Sequence, residues 1–352
     1  MIAIVIAILI AIVEEIAIVK VMTVTVNVDI NIHTVWLVIT SKCNNNCSFC
    51  YYKKRSEEMS LETIKKYIIL LNKIKPKKII LIGGEPTLHP NFVDIVQLLY
   101  QNNFKISVVS NGYGFSNLKI VKKVIDKIKN ISISIEGTNK THNKIVRNNL
   151  AYDSIINSIK NIQLFNKNPS TNTVINKENI NNIEYLISDL YNLGLRKFTF
   201  NICSSFDISD KISYSPKELI KDFEPILRRL TNKYSDCDFH VLTSLGKCVI
   251  SKDLQKYFNH KCHIFSNSGL IIDSNNEILL CTHWVDYPLA RINPSISYED
   301  FKDLWKKLEK YRLEVSKRPL KECSICSEKI NCYGGCPIFW KVNNPKDHLK
   351  II

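Results

Sequence analysis

The chain has little that would take it out of the cytoplasm or into a membrane. Its first residues show no basic n-region and no small-residue cleavage site, so no secretory signal is expected and a cytoplasmic location is. "IAIV" recurs at 2–5, 10–13 and 16–19, but Glu14 and Glu15 break the apolar tract before it reaches the ~20 residues a bilayer span needs. A membrane anchor is therefore not expected, and residues 1–32 read as a low-complexity extension and lead-in. Glycine is scarce, 10 residues in 352, and no G-x-G-x-x-G follows the first strand, which weighs against a dinucleotide fold. Without an oxidising compartment, the 12 cysteines read as thiolates for metals rather than disulfides.

What is present is ordinary globular composition, 45% hydrophobic and 9% aromatic, with a net charge of +15. Lysines are spread along helices rather than gathered in one run, so a solvated face is the plain reading. An acidic partner steered by the basic surface is the functional one. From residue 34 short β-branched runs alternate with segments of helical spacing. The runs are "TVWLVIT", "KKIILI", "KISVVS", "ISISI", "TNTVI" and "KFTFNI". Six βα units predict parallel strands with right-handed crossovers, hence an α/β open sheet or a whole or partial barrel.

Unusual residues fall where such a barrel does chemistry, at the C-terminal ends of strands. "SKCNNNCSFCYY" (41–52) follows the first strand, "GGEP" (83–86) the second, "SNG" (110–112) the third and "EG" (136–137) the fourth. Three thiolates, Cys43, Cys47 and Cys50, could hold three corners of a [4Fe–4S] cube and leave one iron open. Zinc is the rival, yet structural zinc wants four protein ligands and the loop supplies no His, Asp or Glu. In "GGEP", Gly83 and Gly84 let the backbone approach a ligand closely, and Glu85 could accept hydrogen bonds from an ammonium group. Ser110, Asn111, Ser134 and Glu136 could hydrogen-bond a ribose. A second constellation, "CSICSEKINCYGGC", reads Cys323-x2-Cys326-x5-Cys332-x3-Cys336, with Cys262 and a hairpin ending at Cys281 upstream. Taken alone, that spacing also allows a zinc ribbon.

These motifs resemble a known family. C-x3-C-x2-C at Cys43, Cys47 and Cys50, with Gly83–Pro86 as the methionine-binding turn, is similar to the radical S-adenosylmethionine (radical SAM) signature. The resemblance implies a partial (β/α)6 TIM-like barrel over 33–235. The three cysteines would hold a [4Fe–4S] cluster whose open iron binds S-adenosylmethionine, and Phe49 and Tyr51 would shield it. Arg147, at the end of "EGTNKTHNKIVR", would lie near the methionine carboxylate. Residues 236–352 resemble a SPASM domain, the iron–sulfur extension of peptide-modifying radical enzymes, implying one or two auxiliary [4Fe–4S] clusters. By carry-over, Cys262, Cys281 and Cys336 serve one cluster and Cys323, Cys326 and Cys332 the other.

Two departures stand out. Asn276 replaces the pattern's glycine, a mild change because Asn tolerates the left-handed conformation, and the final cysteine is missing. Cys248 is the candidate to complete the Cys262 set, and His348, Asp347, water or substrate the Cys323 set. Otherwise Cys203, Cys237 and Cys248 read as small buried hydrophobes.

The implied activity is reductive cleavage of S-adenosylmethionine to a 5′-deoxyadenosyl radical that modifies a peptide or protein by crosslinking, thioether formation, epimerisation or oxidation. Thr282 stands where sulfatase-maturing relatives carry Asp, which disfavours formylglycine formation. Alternatives are a small-molecule step in haem or quinone-cofactor synthesis and a basic zinc-bearing nucleic-acid module, for which "GGEP" would have no use. The implied partners are a peptide substrate, an acidic electron donor such as flavodoxin or ferredoxin, and a separate leader-peptide recognition protein. No nucleic acid is expected.

Overall fold

The computed structural model describes residues 30–52, 56–204, 211–315 and 317–349. Seven parallel strands follow one another in sequence order: β1 (Thr34–Thr40), β2 (Lys78–Gly83), β3 (Ile106–Ser110), β4 (Ile128–Ser134), β5 (Ser170–Ile175), β6 (Lys197–Ile202) and β7 (Asp238–Val241). The first six coincide with the β-branched runs, whose Val, Ile, Thr and Phe suit a pleated surface buried beneath helices. Crossovers are made by α1 (Leu61–Ile74), α2 (Phe92–Gln101), α3 (Leu118–Val124), α4 (Asn139–Val146), α5 (Ala151–Gln163), α6 (Ile183–Asn192) and α7 (Pro216–Lys233). The chain thus forms the α/β barrel-type sheet that the alternation implied.

Local chemistry sets the helix limits. Thr63 N–H donates to Ser60 Oγ at 3.1 Å to start α1, and Lys75 closes it in the left-handed region at φ 52°. A reciprocal Ser215–Glu218 capping box with Pro216 in the first turn starts α7. Leu37, Ile39, Ile79, Leu81, Val108 and Ile133 are buried in the strands and Ile64, Leu71, Ile95 and Leu99 in the helices, while Val38 packs with Ile271 and Leu279. Each such side chain contributes roughly 1.5–3 kcal/mol by burial.

The C-terminal residues extend this sheet. β8 (Gly269–Ile272) pairs in parallel with β1, β9 (Glu277–Leu279) pairs antiparallel with β8, and β10 (Ala290–Arg291) with β9. The order is β10-β9-β8-β1-β2-β3-β4-β5-β6-β7, with β7 and β10 as its two edges. Residue 235 therefore falls between α7 and β7 of one continuous sheet. The β8–β9 turn places Asn276 at φ 64°, the conformation its side chain tolerates, and Tyr67 donates to Asn276 Oδ1 at 3.0 Å. Among the described residues no helix is long and apolar enough to cross a membrane.

Candidate functional site

The parallel sheet brings four sequence-distant motifs to one end, and hydrogen bonds lock three of them to the fourth, the Cys43–Cys50 loop. Gly84 N–H donates to Thr40 O at 2.9 Å and Glu85 N–H to Lys42 O at 2.8 Å, tying "GGEP" to the loop's start. A Cβ at Gly83 would lie 2.1 Å from Thr40 O, and one at Gly84 2.4 Å from Lys42 O. The two glycines are thus required by the backbone of the cysteine loop, a partner the sequence could not reveal.

From the third strand end, Asn111 Nδ2 donates to Asn44 Oδ1 at 2.8 Å and lies 3.8 Å from Cys43 Sγ. From the fourth, the C-terminal carbonyls of α4 accept the loop's amides: Asn46 N–H to Val146 O at 2.9 Å and Ser48 N–H to Ile145 O at 3.0 Å. Asn148 Nδ2 adds a bond to Asn45 Oδ1 at 2.8 Å. Arg147 follows as the exposed left-handed cap of α4, one residue from these contacts.

The acidic residues are turned inward. Glu85 is wholly buried: Oε1 accepts from Thr87 N–H (3.0 Å), Thr87 Oγ1 (2.5 Å) and Ser110 Oγ (2.8 Å), and Oε2 from Asn111 N–H (2.6 Å). Burial pushes its carboxyl up while these bonds pull it down. Glu85 and Ser110 thus join the second strand end to the third. Glu136 is also buried. Its Oε2 accepts from Val174 N–H at 2.7 Å, its own N–H donates to His142 Nδ1 at 3.0 Å, and desolvation raises its carboxyl to about 8. His142 is buried with Nε2 unpartnered, and burial lowers it to about 4. Ser134 ends β4, opposite Asn172.

Cys43, Cys47 and Cys50 are half-buried, and Asn45 N–H points at Cys43 Sγ from 3.4 Å. Soft thiolates with amide donors aimed at a sulfur fit an iron–sulfur cluster. Tyr51 continues toward the second constellation. Its hydroxyl bonds the Thr282 side chain, and its ring lies 4.7 Å from that of His283.

The C-terminal cysteines fall into two sets. Cys262, Cys281 and Cys336 pack on one apolar cluster of Ile264, Leu280, Trp284 and Ile338. Burial raises all three thiols, Cys262 to about 12, with mutual repulsion adding to it at Cys262 and Cys336. A bound cationic cluster would reverse that preference. His263 Nδ1 lies 3.9 Å from Cys262 Sγ and His283 Nδ1 3.6 Å from Cys281 Sγ, two neighbours the cysteine spacing does not signal.

Cys323, Cys326 and Cys332 line a separate cavity, and Cys248 lines it with them. Neither Asp347 nor His348 is among the residues that line it: Leu349 turns in, while His348 lies by Trp340 and is influenced by Lys217 and Glu218 at the start of α7. Of the remaining cysteines, Cys203 is buried and Cys237 is half-buried beside Asp236. Among the described residues no three His, Cys, Asp or Glu side chains converge as a single metal ion requires.

Comparisons with known proteins agree with this geometry. The sporulation killing factor maturation protein SkfB of Bacillus subtilis is 26% identical over 212 residues, 57% of this chain and 50% of that protein, so the match spans half of the relative's length. Streptococcus suis SuiB, solved bound to S-adenosylmethionine, shares the fold at TM-score 0.69 and 17% identity, over 88% of this chain and 74% of that one. The enzyme anSMEcpe, solved with bound AdoMet and a peptide, does so at TM-score 0.68 and 15% identity, over 86% and 88%. Residues 37–190 match the Radical SAM superfamily. These residues form a radical SAM domain.

Proposed function

We propose that this enzyme modifies a peptide or protein substrate and that Cys43, Cys47 and Cys50 hold its catalytic [4Fe–4S] cluster. The observation that carries the reading is the convergence of three other strand-end motifs on the Cys43–Cys50 loop, with Asn111 and α4 packed on it. When bound, the cluster and S-adenosylmethionine supply reductive formation of a 5′-deoxyadenosyl radical, the chemistry that activates an inert C–H bond.

This chain's own residues do the rest. Hydrogen bonds from "GGEP", Asn111, Asn148 and the end of α4 fix the cysteine loop in one conformation, which presets the spacing of its thiols. Gly83–Pro86, Ser110, Asn111, Ser134, Glu136 and Arg147 ring the loop as the cofactor-binding surface, with Glu85, Ser110 and Glu136 acting through the backbone they position. Arg147 is exposed and offers a guanidinium to a carboxylate.

A peptide substrate is supported by SkfB, a maturation protein by name, and by the fold shared with SuiB, also solved bound to its precursor peptide SuiA. The two C-terminal cysteine sets are the places for auxiliary clusters, and the basic surface suits an acidic electron donor such as a flavodoxin or ferredoxin.

The test is anaerobic reconstitution followed by reduction with dithionite and addition of S-adenosylmethionine. The parent should release 5′-deoxyadenosine and Cys50→Ala should release none. Undiminished release from the variant would remove Cys50 from the catalytic site. A mass change in a peptide encoded beside this gene would establish the substrate class.

A further inference from the structure

The missing final cysteine of the C-terminal block has a replacement from upstream. We infer that Cys248 is the fourth thiolate of the Cys323–Cys326–Cys332 site; this rests on the proposal that the C-terminal cysteines hold auxiliary clusters. The backbone carries the argument. Leu245 bridges Gly335 in antiparallel fashion, and Cys336 N–H donates to Ser244 O at 2.8 Å, so the 244–248 and 332–336 segments run side by side in opposite directions. Past Gly246 the chain turns through Lys247–Val249, and Cys248 lines the same cavity as Cys332. Lys247 N–H, in the short turn bearing Cys248, points at Cys332 Sγ from 3.4 Å, as does Gly334 N–H.

A side chain at either glycine of this crossing would disturb it. A Cβ at Gly335 would come 3.3 Å from Gly246 N, on top of a φ of 104°. The result is one cavity lined by four thiols, Cys248, Cys323, Cys326 and Cys332, with the Lys247–Glu328 ion pair (2.7 Å) at its wall. Four thiolates are the full complement of a [4Fe–4S] cube. By contrast the Cys262, Cys281 and Cys336 set has three thiols, and the histidines His263 and His283 stand where a fourth donor would come from.

The experiment compares iron content and low-temperature electron paramagnetic resonance of reconstituted full-length protein. With three clusters the parent should hold about twelve irons, at four per cube. Cys248→Ala and Cys323→Ala should each lose about four irons, keep the parent's far-ultraviolet circular dichroism, and keep the resonance that S-adenosylmethionine perturbs. Cys237→Ala should lose none. Cys248→Ser, which preserves shape and offers a poorer ligand, should shift the resonance of one cluster only. Full iron and a parental spectrum in both Cys248 variants, with loss in Cys323→Ala, would overturn the inference and leave the auxiliary-cluster reading standing. No loss in Cys323→Ala either would overturn both, and equal loss in Cys237→Ala would show that iron loss there is not specific to Cys248.

Discussion

Glu136 and His142 meet just past the end of β4, and burial disfavours the charged form of each. The Glu136 carboxyl rises from 4.5 to about 8 and His142 falls from 6.5 to about 4. For His142 the folded state binds fewer protons than the unfolded chain, so its contribution is lost as pH falls from 6.5 toward 4. For Glu136 the folded state binds more protons, so stability declines as pH climbs from 4.5 to 8. Above 6.5 only the Glu136 effect remains. Glu136→Gln should therefore flatten the decline in denaturant midpoint between pH 6.5 and 8 in iron-free protein, an effect of roughly 2 kcal/mol at about 1.4 kcal/mol per pH unit. A decline as steep as the parent's would assign it to another group. The stretch "EGTNKTHNKIVR" marked these residues by position. It could not show that the carboxyl faces the Val174 amide of β5, because that partner is set by strand pairing rather than by local pattern.

At the scale of elements, the ends of β2 and β3 are joined through one carboxylate. Glu85→Ala would leave the Thr87 and Asn111 amides and the Ser110 hydroxyl buried without their acceptor, at about 1–3 kcal/mol each. The expected outcome is a drop of several kcal/mol in unfolding free energy, read as a lower denaturant midpoint, together with less iron retained by the Cys43–Cys50 loop, since "GGEP" and Asn111 both pack on it. Glu85→Gln keeps an acceptor oxygen and should lie between. Iron retention equal to the parent's in Glu85→Ala would show that the loop holds its shape without this junction. The first six strands were legible because each is a run of β-branched or aromatic residues. β7 and β10 were not, at four and two residues with no period to detect.

Across the whole molecule, order falls off from barrel to C-terminal block in the length of its elements. Beyond β7 only Tyr298–Lys307 reaches ten residues, and the cysteines are drawn from separated loops. Where metal binding and folding are coupled, ligands hold such loops together. Chelating the iron should therefore speed amide hydrogen exchange at 244–249 and 320–336 while β2–β5 stay protected; equal acceleration in both regions would refute a local clasp. The two sets of three were implied by the family resemblance, whereas the bridge from Leu245 to Gly335 that accompanies Cys248 at the Cys323 cavity is a long-range register that no motif encodes. A similar long-range register governs β1, whose side opposite β2 is covered by β8. During synthesis, Trp36 and Leu37 therefore stand on a bare strand edge until residues 269–272 emerge from the ribosome. At about 5–20 residues per second that interval is roughly 10 to 50 s. For that time the nascent barrel presents an apolar edge with unpaired amides, so the same strand that carries the cysteine loop is also the point at which an incomplete chain is most exposed to aggregation.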